Sequence, residues 1–227
     1  MDSGFTSLTV ATVLFLATHI GLSSTGLRTA LVRRIGEGGF LVIYSLVALG
    51  TIVWMALAYR AAPVVSLWDA GEGLRSLPFA FMPIAFVLLV AGLTTRSPTS
   101  VGQDAVAAAA VRGILRITRH PVQWAILIWA VLHVIANGDL ASLVFFGGFA
   151  ILAAAGGVLI DAKKRARLGA EWETFARITS NVPFAAIAQG RNRLSFYEMG
   201  PWRVLGGLLL FAILVAAHPY LFGVSAM

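Results

Sequence analysis

Six apolar runs limit what this chain can fold into. They cover about residues 5–27, 40–59, 78–95, 121–136, 140–160 and 202–224. The first, Phe5 to Leu27, is long enough to cross a bilayer, because about 20 helical residues at ~1.5 Å each match a ~30 Å hydrocarbon core. In lipid every backbone N–H and C=O needs an internal partner, so such runs read as helices. Pro83 falls in the first turns of the third run, where a kink is tolerated. The fourth run is short, and Ile114 to Thr118 can extend it. The fold class predicted is all-α: a polytopic integral membrane helix bundle of about six transmembrane helices, with residues 1–227 forming a single domain. No basic flank or small-residue cleavage site accompanies the first run, which therefore reads as retained.

Composition agrees. The chain is 59% hydrophobic and 12% charged, about half the charge of a soluble domain. It has no cysteine, which excludes disulfides, thiolate ligands, iron–sulfur clusters and cysteine nucleophiles. The net charge of +7 reads as the positive-inside rule rather than nucleic-acid binding. Fifteen of the 17 Lys and Arg follow the first, third and fifth runs, leaving Arg60 and Arg75 on the other side. This asymmetry predicts both termini non-cytoplasmic, in what we expect to be a bacterial inner (cytoplasmic) membrane. Lys163-Lys164-Arg165-Ala166-Arg167 reads as a juxtamembrane cluster facing an anionic leaflet.

The connections carry few motifs. Gly36-Glu37-Gly38-Gly39 reads as a flexible turn, not a nucleotide site. Trp68, Asp69, Glu72 and Arg75 are assigned to the connection after the second run. Ser97 to Thr118, with an alanine-rich centre, reads as an interfacial helix or the entry to the fourth span. Asp139, after the Asn137-Gly138 turn signal, is expected to cap the fifth helix. Gly147, Gly148 and the small residues from Ala153 to Gly157 suit close helix packing.

Three of the four histidines lie in apolar runs. From the rise per residue, His19 is about 12 Å from one face, His133 about 18 Å and His218 about 22 Å, while His120 sits at the interface. Two readings are open: an imidazole bonded to a neighbouring helix, or a ligand set. Imidazole suits iron and zinc, and no acid lies at the depth of the histidines. A nitrogen-ligated site in apolar surroundings favours a porphyrin over a carboxylate-rich metal centre. Trp129, Ile126 and Val122 share the helical face of His133, and Phe15, Leu16 and Ser23 flank His19. Arg116 and Arg119 sit where haem propionates could reach, or where positive-inside anchors belong.

The segment Gly113 to Leu140, with Ile117-Thr118-Arg119-His120-Pro121 and Trp129 four positions before His133, resembles the NnrU family, which includes the 15-cis-zeta-carotene isomerases. Thr179-Ser180-Asn181-Val182-Pro183-Phe184-Ala185-Ala186-Ile187 with Gly190-Arg191 carries the resemblance further. Shorter matches are His19 with Leu27-Arg28, Leu67-Trp68 and Ala217-His218-Pro219. The isomerase resemblance implies a membrane protein holding haem b, whose reduced iron isomerises the central 15-cis double bond of a carotene without net redox. It places the iron-ligating, catalytic histidines on His19 and His133. Arg116, Arg119 and Trp129 are the further cofactor-binding candidates, and His120 and His218 are secondary ones. The isomerases carry a cysteine three residues before the second histidine. Here Ala130 stands there, so a cysteine-based ligand switch is excluded. The expected partners are the lipid bilayer and a hydrophobic small molecule, zeta-carotene in the isomerase reading. The alternative is a non-enzymatic haem protein of nitric oxide or denitrification metabolism, acting in sensing or maturation.

Overall fold

The computed structural model describes residues 3–24, 26–100, 102–103 and 111–225. Helix α1 (Ser3–Ser24) follows the first apolar run. Helix α2 (Gly26–Ala61) is interrupted at Gly36, whose φ of 75° and ψ of 166° suit only glycine. The expected flexible turn is therefore a kink inside one helix. Arg28, Arg33 and Arg34 precede it, and Arg28 pairs across it with Glu37. Helix α3 (Gly71–Thr94) starts before the apolar run, so Glu72 and Arg75 lie on the helix rather than in the connection. Glu72, in its first turn, complements the positive end of the helix dipole.

Helix α4 (Pro121–Asn137) begins on a proline, whose missing N–H is no loss at a first helical position. Helix α5 (Leu140–Leu168) continues past its apolar part and carries Asp161 and the basic cluster on its last turns. Short helices α6 (Ala170–Ile178), α7 (Ala185–Ala188) and α8 (Phe196–Met199) lead into α9 (Pro201–Phe222). A 3-10 turn covers Gly113–Arg116. The alanine-rich centre of the expected interfacial helix, residues 104–110, lies outside the described residues.

Helices α1, α2, α3, α5 and α9 are long and apolar enough to cross a membrane, and α4 is a shorter apolar helix. Among the described residues there is no strand, only one isolated bridge between Ser66 and Asp139. The protein is an all-α helical membrane bundle.

Two compact units divide the chain: residues 1–75 with 130–152, and residues 76–129 with 153–227. The first packs Leu8, Ala11 and Phe15 of α1 with Met55 and Ala58 of α2 and Ala141 of α5. The second packs Leu88 and Ala91 of α3 with Ile114, Leu115, Trp172 and Phe175.

A backbone clasp closes one end of the first unit. The N–H groups of Leu67 (2.8 Å) and Trp68 (3.1 Å) both donate to the Gly138 carbonyl, and Leu140 N–H donates to the Val65 carbonyl at 2.9 Å. The Trp68 indole donates to the Ile135 carbonyl at 3.1 Å. Gly138 has φ 68°, and a Cβ there would run into the Trp68 carbonyl and indole. The next residue, Asp139, accepts from the Ser142 N–H at 2.9 Å and hydroxyl at 2.6 Å. It thereby caps α5 as its position suggested.

Candidate functional site

The first unit contains both His19 and His133. On α1, the His19 Nδ1–H donates to the Phe15 carbonyl one turn back, at 2.8 Å. A neutral imidazole protonated at Nδ1 keeps an in-plane lone pair on Nε2, the form that ligates a metal. The His19 ring lies 4.2 Å from Phe15 and 5.9 Å from Tyr44. His133 on α4 stacks on Phe146 at 4.8 Å with the planes 28° apart. Stacking uses the ring face, whereas ligation uses the ring plane, so the Phe146 contact does not itself block a nitrogen ligand at His133.

Phenylalanine rings form a continuous run between the two imidazoles. From His19 the run passes to Phe15, then to Phe149 at 4.9 Å, Phe145 at 5.4 Å and Phe146 at 5.0 Å, and so to His133. Tyr59 of α2 stacks on Phe145 at 4.6 Å, and its hydroxyl hydrogen-bonds Ser142 at 2.8 Å, which ties the ring run to the Asp139 cap. Beside these helices lies an open apolar groove of about 530 Å³. Its walls include Thr12 and Leu16 of α1, Val131 and Val134 of α4, and Val144 and Ile151 of α5. Such a wall offers contacts to hydrocarbon and almost none to water.

The second unit is organised around charge. Asp161 accepts from the Arg119 Nε at 3.0 Å and from the His120 Nε2 at 2.6 Å, and Arg119 Nη2 adds a further contact. His120 is buried, and the Arg119 guanidinium lies over the Trp172 ring at 5.9 Å. Around this cluster the two longest sequence motifs meet. Arg119 N–H donates to the Ser180 carbonyl at 2.9 Å, and Phe184 N–H donates to the Ile117 carbonyl at 2.9 Å. The Thr118 hydroxyl and the Trp124 indole both donate to the Asn181 carbonyl. Nearby, Arg116 grips Glu198 through Nε (2.7 Å) and Nη2 (2.8 Å), and reaches Asn192 with Nη1 at 2.8 Å. Hydrogen bonds from Arg116 hold the Glu198 carboxyl below its usual range.

This arrangement sorts the expected residues. His19 and His133 belong to the first unit; Arg116, Arg119, His120, Trp129 and His218 belong to the second. Trp129 lies one turn before His133 along α4. Arg116 and Arg119 are committed to carboxylates of their own chain, so they do not fit the part of open anchors for propionates. His120 hydrogen-bonds Asp161 through Nε2 at 2.6 Å, which commits that nitrogen within the chain. His218 donates Nδ1–H to the Val224 carbonyl at 2.8 Å, near the end of α9. Among the described residues no group of three or more His, Cys, Asp or Glu is placed to hold a bare metal ion. A porphyrin needs only one or two protein ligands. Sequence reasoning missed Asp161, Tyr59 and the ring run. A lone acid at the edge of an apolar helix was the one available signal, since such a group requires a cation.

Fold and site together define a helical membrane protein with a histidine-bearing apolar unit and a charged unit. Residues 7–226 match the family described as NnrU protein, and the chain belongs to that family. It is 26% identical over 228 residues to the 15-cis-zeta-carotene isomerase, chloroplastic, of Arabidopsis thaliana, covering 94% of this chain and 59% of the relative. It is 25% identical over 206 residues to the Zea mays protein of the same name, covering 85% of this chain and 53% of the relative. The chain thus spans little more than half the length of these relatives. No solved structure matches it.

Proposed function

We propose that this chain is a haem b protein that isomerises the central cis double bond of a carotenoid, with His19 and His133 as its candidate iron ligands. Four phenylalanine rings separate the two imidazoles, so joint ligation of one iron requires those rings to give way. The observation that carries the reading is His19. Its Nδ1–H is committed to the Phe15 carbonyl, which leaves Nε2 as a nitrogen donor in an apolar, aromatic environment. The names of the two relatives support carotene as the substrate class.

When bound, the haem supplies an iron centre that lowers the double-bond character of the polyene and permits rotation. The protein does the rest. Phe15 and its hydrogen bond set the tautomer and orientation of His19. Phe146 supports the face of His133. The open apolar groove beside α1, α4 and α5 offers dispersion contacts to a hydrocarbon. The ion pairs of Arg116 and Arg119 fix the second unit and leave the propionates to other groups. We propose a membrane location from the long apolar helices; the distribution of basic residues speaks only to orientation, and both relatives are chloroplastic. Cell fractionation with a tagged chain checks this assignment.

The test is absorption spectroscopy of the purified protein, oxidised and reduced, beside His19→Ala and His133→Ala, followed by incubation with 9,15,9′-tri-cis-zeta-carotene. A Soret band that shifts or disappears in each variant, together with conversion by the reduced wild type, is the expected result. A haem spectrum without conversion rejects the isomerase and leaves a non-enzymatic haem protein. A colourless protein after expression with ample haem rejects the cofactor.

A further inference from the structure

Helix α8 is a single turn with reversed polarity. Its acid, Glu198, faces inward onto Arg116 and the Gly113 N–H, and Met199 is buried. Its aromatics face outward, Phe196 at 74% exposure and Tyr197 at 95%. Phe184 repeats the pattern. Its backbone is held at φ 64°, a left-handed conformation that disfavours bulky residues, by a bond to the Ile117 carbonyl, and its ring is exposed. Val182 and Trp202 are exposed as well. In water, rings of this size displayed singly from a polar connection forgo the burial that would stabilise them.

The charges say what surrounds these rings. Residues 177–203 contain four arginines and one acid, Glu198, which Arg116 neutralises. Arg191 and Arg193 are exposed among the aromatics. Trp202 stands in the first turn of α9, a membrane-crossing helix, with Arg203 over its ring at 4.6 Å. Amphipathic aromatics beside arginines at the end of a span are the composition of a membrane–water boundary. We propose that residues 182–202 lie in the headgroup layer of the bilayer that α9 enters. Phe184, Phe196, Tyr197 and Trp202 reach toward the acyl chains, and exposed Arg193 meets anionic phosphates, while Arg191 is tied to the Arg177 and Thr179 carbonyls. The polar connection is thus a membrane-bound segment held down by the inward Arg116–Glu198 pair.

The absence of native cysteine makes every introduced one unique. Phe184→Cys, Phe196→Cys and Tyr197→Cys carry a nitroxide label in full-length protein in phosphatidylcholine–phosphatidylglycerol vesicles. Glu171→Cys, at an exposed position on α6, is the control. The expected result is a several-fold excess of oxygen over nickel-chelate collisions at 184, 196 and 197, reversed at 171. Replacing phosphatidylglycerol by phosphatidylcholine lowers that excess. Nickel-chelate dominance at all four positions overturns the proposal in favour of a water-exposed loop. Dipolar broadening between labels overturns it in favour of a second copy of the chain. An excess indifferent to phosphatidylglycerol overturns the anionic-phosphate part.

Discussion

The two units handle polarity in opposite ways. In the first, the imidazoles of His19 and His133 sit among phenylalanine rings, and the clearest side-chain polar network, Tyr59–Ser142–Asp139, closes a helix end. In the second, Arg119, His120 and Asp161 satisfy one another while Arg116 satisfies Glu198. Charge used for holding the structure is neutralised in place. Two imidazoles are kept among aromatic rings. The difference separates a unit held by ion pairs from a unit held by ring packing and a backbone clasp.

The sharpest way to break the comparison is to remove one charge from the second unit. Asp161→Ala leaves buried His120 and partly buried Arg119 without their carboxylate. It is expected to destabilise by about 3–5 kcal/mol, the cost of breaking a buried pair. Thermal unfolding in detergent measures it, and Asp161→Asn should recover only a small part. The first unit breaks instead by added volume. A Cβ at Gly148 would lie 2.6 Å from Thr12 Cγ2, so Gly148→Leu is expected to cost about 1–3 kcal/mol by overpacking. It should also reduce the uptake of hydrocarbon by the adjoining groove, read by ligand-induced stabilisation. Asp139→Ala removes the α5 cap and should cost about 1 kcal/mol by the same unfolding assay.

The smallest effect is a pH dependence. Glu198 in the folded protein lies below its ordinary value of 4.5. Its contribution is therefore fully present above about that pH and is lost as pH falls through the folded-state value. An unfolding series between pH 6 and pH 3 should show stability falling toward the acid end, and Glu198→Gln should flatten the part due to this pair.

Much of the fold was legible in the sequence because hydropathy acts through length and needs no knowledge of partners. The apolar runs carry the long helices, and Asp139 caps α5 because a cap is decided within one turn. Two features were misjudged where a local signal was ambiguous. Glu72 and Arg75 suggested a loop, yet charged residues near a helix start are favourable. Gly36 suggested a turn, yet one glycine can kink a continuous helix. His19 and His133 stand out in the sequence because imidazoles are rare in apolar runs, and the structure places both in the first unit. The arginines were read as open because their carboxylates are 42 and 82 residues away, and no local pattern announces such a pairing. The resemblance to the NnrU family marked Ile117–Pro121 and Thr179–Ile187 as specific. Only the three-dimensional structure shows that the two segments bond to each other.

The clasp at Gly138 has a consequence for biosynthesis. Trp68 and its acceptor carbonyl on Ile135 are 67 residues apart. At about 5–20 residues per second, roughly 3–13 s of translation separate their emergence. Throughout that interval the amides of Leu67 and Trp68 remain hydrated and the preceding helices lack their fastening. The clasp can close only after residues 135–140 have been made, so the connection after α2 is fastened later than the helices that flank it are synthesised.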